Sequence, residues 1–244
     1  LHDRRELLQI ILEQMQSLIP RYRKLAEDGQ VELCMSPYAH PIVPLLLDMN
    51  CAKEAMPNVQ LPSTTEYPGG LARAQWHIDK GLETFQRVFG LKPVGLWPSE
   101  GGVSQQSLQL FADNHFSWVA SGGNVLHNSH KKEDHSCSHR VYRFGKIPID
   151  CFFRDDGLSD LIGFSYSDWH AEDAVANLIG HMEEIAKVCP DRDDCLITII
   201  LDGENAWEYF PENGYYFLNE LYRSLANHPL LKLTTFEQFL KEKS

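Results

Sequence analysis

The run Leu196-Ile197-Thr198-Ile199-Ile200-Leu201, followed at once by Asp202-Gly203-Glu204-Asn205-Ala206-Trp207-Glu208, constrains the fold more than any other part of the chain. Every side chain from Leu196 to Leu201 is apolar or β-branched, the pattern of a strand buried on both faces. Gly203 lets the backbone turn behind Asp202 without a Cβ penalty. Beyond Pro211, the residues Leu218, Leu221, Tyr222 and Leu225 recur at i, i+3, i+4 and i+7, the stripe of an amphipathic helix. A buried strand that carries an acid to its C-terminal end and then passes into a helix is how α/β sheets build their sites.

The same order of strand, acid, glycine and helix recurs upstream. Pro93-Val-Gly-Leu-Trp97 reads as a strand, Pro98-Ser99-Glu100-Gly101-Gly102 ends it, and Gln105, Leu108, Phe111 and Ala112 mark the helix behind it. Ile147–Phe153 is a strand that feeds Arg154, Asp155, Asp156 and Asp160. Val31–Met35 is a short strand that feeds Ser36-Pro37-Tyr38-Ala39-His40-Pro41, a loop stiffened by two prolines. Further strands are expected at 116–120 and 231–235. Helices are expected over 4–19, from about Leu71 to Phe89 with Gly90 as cap, and over 172–188. Strands at 31–35, 93–97, 116–120, 147–153, 196–201 and 231–235, separated mostly by helices, describe a parallel α/β barrel one or two strands short of closure. With 244 residues, the expectation is one barrel domain spanning 1–244. Leu1 already lies in a helical pattern, so residues are expected upstream of it.

Composition narrows the partners. A net charge of −12 argues against nucleic acid and anionic membranes, which call for basic patches, whereas a neutral polyol is indifferent to it. No apolar run reaches the length of a membrane span. The chain lacks a dinucleotide fingerprint after a strand, a phosphate loop and a serine nucleophile elbow. Its six cysteines form no C-x-x-C pair and no regular framework, which favours a reducing, cytoplasmic setting. Cys34 and Cys151 lie in strand-like runs, where a free thiol acts as a small hydrophobe. Residues 127–139 hold four histidines and Cys137 without apolar periodicity, and their spacing matches no standard zinc arrangement. They are expected to form a mobile surface loop that binds no metal, and no cofactor is expected elsewhere.

Glu100 and Asp202 are the candidate catalytic pair. Two carboxylates that face one cavity suit glycosidic chemistry, in which one attacks and the other delivers a proton. Trp97, Trp207 and Tyr209 beside them offer flat apolar faces to the C–H side of a sugar ring.

Four segments in this order, Ser36-Pro-Tyr-Ala-His-Pro41, Gly95-Leu-Trp-Pro-Ser-Glu100, Phe153-Arg-Asp-x-x-Leu-Ser-Asp160 and Leu201-Asp-Gly-Glu-Asn-Ala-Trp-Glu208, resemble glycoside hydrolase family 57. The resemblance implies a (β/α)7 barrel and an α-glucan substrate. It also implies retention of configuration, by hydrolysis or transfer, without a metal. It further implies Glu100 as nucleophile and Asp202 as acid/base, with His40, Trp97 and Trp207 lining the sugar site; Glu204, Tyr209, Arg154, Asp155 and Asp160, beside the same strand ends, are further candidates to bind the substrate. Family members begin with a first strand that ends in a His-x-His-Pro type motif, which this chain lacks. It therefore reads as a fragment, and another chain or segment is expected to cover the strand edges that an incomplete barrel exposes. Readings from other classes are a noncatalytic carbohydrate-binding or assembly protein on the same barrel, and a metal-dependent polysaccharide deacetylase or α-mannosidase.

Overall fold

The computed structural model describes residues 2–129, 139–189, 194–203 and 207–243. Helices α1 to α5 are His2–Glu27, Val43–Leu47, Ala52–Ala55, Gly70–Phe89 and Gln105–Asp113. Helices α6 to α10 are Gly123–Ser129, Asp156–Phe164, Ala171–Val188, Tyr215–Ala226 and Phe236–Lys243. Strands β1 (Gly95–Leu96), β2 (Trp118–Ser121) and β3 (Asp150–Phe153) hydrogen-bond in the order β1-β2-β3. The chain divides into two compact units, one of Leu1–Val119 with Thr235–Ser244 and one of Ala120–Thr234.

In the first unit, β1 and β2 pair in parallel, with Gly95 opposite Trp118 and Leu96 opposite Val119. Gly95 has to be glycine, because a Cβ there would lie 1.9 Å from the indole of buried Trp118. Met35 adds a single parallel bridge to Leu96. The expected strand 31–35 goes no further, and the Glu32 carboxylate instead accepts from Trp118 Nε1 at 2.7 Å and from the Glu237 backbone N–H at 2.9 Å. Helix α4 buries Ala74, Ile78, Gly81 and Phe85, and Gly90 closes it at φ 71° as its pattern predicts. Helix α5 starts on a capping box between Ser104 and Ser107.

Helix α1 departs from expectation, since it continues through Pro20 to Glu27. An interior proline costs a backbone hydrogen bond. The last turns are anchored instead by Arg23, whose guanidinium donates to Val88 O at 2.7 Å. No residue of α1 is buried, and its apolar stripe, Leu8, Leu12, Met15 and Ile19 among it, faces outward.

In the second unit, α7, α8 and α9 share a core in which Leu158, Ile162, Tyr166, Val175, Leu178 and Phe217 are buried. The predicted stripe of α9 packs on this core at Leu218, Leu221 and Leu225, with Phe217 buried beside them, and only Tyr222 of the stripe is exposed. Cys151 is buried as expected, its thiol pushed up to about 12 by burial and by Asp150, whereas Cys34 is exposed.

The segment 196–201 forms no regular strand. Its polar backbone groups are taken one at a time: Leu196 N donates to His139 O, Thr198 O accepts from Asp155 N, and Ile200 N donates to Ser159 Oγ. Two of these bonds run backbone to backbone and one to a side chain, too irregular for a strand, and only Thr198 is fully buried. Residues 231–235 form no strand either, because the His228 ring accepts from Leu230 N and Leu231 N and turns the chain. No helix among the described residues is long and apolar enough to cross a membrane.

Candidate active site

In the first unit, the end of β1 turns abruptly. Trp97 N donates to Met35 O at 2.9 Å, which extends the pairing by one residue. A 3-10 turn over Ser99–Gly101 follows, closed by Gly101 N to Pro98 O at 2.8 Å and Gly102 N to Ser99 O at 3.0 Å. Within it Glu100 takes φ 58° and ψ 21°, left-handed backbone that an L-residue with a long side chain rarely adopts. Its side chain projects outward, while Ser99 beside it is buried and its hydroxyl finds no partner among the described residues.

The proline-flanked loop brings His40 to Glu100. Ala39 and His40 both hold positive φ, 58° and 56°, and His40 N donates to Pro37 O at 3.0 Å. The loop is pinned to α4, where Tyr38 N donates to His77 O at 3.0 Å and His77 Nδ1 donates to Tyr38 O at 2.6 Å. His40 Nε2 then stands 3.0 Å from Glu100 Oε1, with the two side chains 51% and 76% exposed. A pair this exposed adds about 0–1 kcal/mol to stability. Three left-handed residues converging on it cost more than that. The arrangement is therefore expensive as a staple, and it aims an open carboxylate with a nitrogen beside it. Trp97 is half-buried next to it.

In the second unit, Arg154, Asp155 and Asp160 are tied into the protein. Arg154 donates from Nε to Ile200 O at 3.0 Å, from one terminal nitrogen to Asp156 at 2.9 Å and from the other to Asp160 at 2.6 Å. Burial opposes its charge, but the two carboxylates outweigh burial and hold the guanidinium protonated. Asp155 caps α7 by accepting from Leu158 N at 2.8 Å, and its other oxygen stands 2.7 Å from His139 Nε2. Burial pushes the Asp155 carboxyl up, yet the His139 and Leu158 bonds prevail and its pKa lies below the ordinary value. Asp202 is exposed, two residues past the carbonyl that Arg154 holds. Trp207 packs against the core of this unit, its ring 5.4 Å from Phe210 and 6.0 Å from Phe217, and Tyr209 is 77% exposed. Glu204 lies outside the described residues, as do residues 130–138 with Cys137.

Two further side chains take part. His139 closes the histidine-rich stretch and is half-buried against Asp155, while His127 to Ser129 belong to α6. Asp156 pairs with Arg154 and accepts from Asn124 N at 3.1 Å, at the start of α6. Asp156 lies in the acidic run that the sequence places at the end of a strand, whereas the reach of His139 to Asp155 across sixteen positions carries no local signal. Among the described residues, no three His, Cys, Asp or Glu side chains are grouped to hold a metal ion.

The chain matches the glycosyl hydrolase family 57 model over residues 5–244. It belongs to that family. A GH57 branching enzyme from the archaeon Thermococcus kodakaraensis superposes with a TM-score of 0.71 at 15% identity, covering 98% of this chain and 52% of that one. The α-amylase AmyC from Thermotoga maritima gives 0.69 at 13% identity, with 97% and 54% covered. The 4-α-glucanotransferase from Thermococcus litoralis gives 0.64 at 18% identity, with 97% and 32% covered. The chain thus spans about half the length of the first, and the shared architecture is the α/β barrel the strand–helix order predicts. No curated protein matches the chain significantly.

Proposed function

We propose that the protein of which this chain is part is a retaining enzyme on α-glucans, a hydrolase or a glucanotransferase. The observation that carries the reading is the family match across residues 5–244. The outward, left-handed Glu100 beside His40 supports it from the coordinates. In this reading 1–244 is one barrel domain, cytoplasmic, and its exposed α1 stripe is covered by a further segment or chain.

Glu100 attacks the anomeric carbon and forms a glycosyl ester while Asp202 protonates the departing oxygen. Asp202 then takes the proton of an incoming water or sugar hydroxyl, which breaks the ester and regenerates Glu100. Direct attack leaves no room for a water between carboxylate and sugar, so the two carboxyls approach to about 5–5.5 Å in the working enzyme. His40 orients Glu100. Arg154, which holds Ile200 O, acts on Asp202 by positioning its segment, with Asp155 and Asp160 fixing Arg154 and α7. Trp97, Trp207, Glu204 and Tyr209 complete the sugar contacts.

The test is the product profile of the full-length protein on maltoheptaose. Turnover with a retained anomeric configuration, lost in Glu100→Gln, is expected; an inverted product removes Glu100 as nucleophile. Asp202→Asn should slow substrates with poor leaving groups far more than activated aryl glycosides, and equal losses would remove Asp202 as the acid. Sugar binding without turnover would favour a noncatalytic carbohydrate-binding protein.

A further inference from the structure

A cavity of about 470 Å³ lies in the second unit, between the start of α8 and α9. That volume falls within the roughly 300–1,000 Å³ of small-molecule sites. Buried Tyr166, Phe210 and Phe217 form its apolar lining. Trp169 and Tyr216 also line it and are 46% and 56% exposed. Trp169 meets Tyr166 edge-on, at 5.3 Å and 70°, so it stands across that ring and is not covered by it. His170, Glu172, Asn219, Glu220 and Arg223 supply the polar groups. Glu220 is already engaged by Arg223 and by Ser224 Oγ, which leaves Glu172 as the cavity's further carboxylate.

We propose that this cavity binds a pyranose unit of an oligosaccharide at a site built without Glu100 or Asp202. A sugar ring is apolar on its C–H faces and polar around its rim. Open aromatic faces suit the first, and Asn219, Glu172 and Arg223 suit the hydroxyls. An anionic ligand finds no free partner here, in a chain of net charge −12 whose one guanidinium at the cavity is paired. The identity of the sugar, an α-glucan unit, rests on the function proposed above; the existence of the site does not.

The experiment titrates maltotriose into the full chain carrying Glu100→Gln, so that the probe is not consumed, and follows the indole N–H resonance of Trp169. Trp169→Phe assigns that signal by removing it. A saturable shift is expected, with affinity about tenfold weaker in Tyr216→Ala, a difference of about 1.4 kcal/mol. Near-ultraviolet circular dichroism verifies that each variant is folded. An indole signal that does not move, or that saturates equally in Tyr216→Ala, overturns the proposal, even where the parent protein turns over maltoheptaose. A specific shift without any turnover upholds the cavity and counts against the catalytic reading alone.

Discussion

Glu100 pays for its position in backbone strain. A left-handed L-residue lies about 1–2 kcal/mol above its usual well, and the exposed contact with His40 returns less than that. Glycine at this position would lose about 0.5–1 kcal/mol through extra freedom in the unfolded chain and recover the strain. The balance favours the replacement. Glu100→Gly should therefore melt no lower than the parent while losing all glucan turnover, and a lower midpoint in thermal denaturation would show that the carboxylate stabilises the fold. The carboxylate itself is legible from sequence, because a strand that ends in an acid and two glycines is a local pattern. Its backbone state is not, since φ at Glu100 is imposed by the Ser99–Gly101 turn and by a loop sixty positions upstream.

At the scale of elements, α7 depends on Asp155. This carboxylate caps the helix and holds half-buried His139, both within one hydrogen-bond shell. Asp155→Ala should cost about 1–3 kcal/mol near neutral pH, from the lost cap and the partner left behind. Its folded-state pKa is depressed, so the contribution is complete above the unfolded value of about 3.9 and disappears as pH falls through the folded value. Urea unfolding of parent and variant should differ above about pH 4 and converge as pH falls below it; a gap that widens in acid would mean Asp155 is not the group responsible. Helices α4 and α8 were readable from their stripes and caps, as the burial of Ala74, Ile78, Ala174 and Leu178 confirms. The segment 196–201 is harder to read, for its apolar run promises a ladder whose bonds are shared between the backbone of His139 and Asp155 and the side chains of Arg154 and Ser159. Helix α7 is not among the expected helices, and its start is set by the Asp155 side chain, which accepts from Leu158 N.

For the molecule as a whole, the last helix is part of the first unit. Helix α10 buries Phe239, its Glu237 N–H meets Glu32, and Phe236 stands edge-on to Trp118 at 4.6 Å. Deleting residues 236–243 should therefore loosen a strand pair more than a hundred positions away. Loss of the Phe239 burial alone costs about 1.5–3 kcal/mol. Hydrogen exchange should show faster opening at Leu96 and Trp97, with the amides of α8 little changed; equal acceleration in both would mean the units unfold as one. The same connectivity sets a timetable. A ribosome adding about 5–20 residues per second completes 120–234 only some 5–25 s after Trp118 has emerged. During that interval Glu32 and Trp118 have each other, but Glu237 N and the Phe236 ring have not been made. The middle of the chain can finish folding before its beginning does, and any factor that guards the nascent protein has to hold the older half longest.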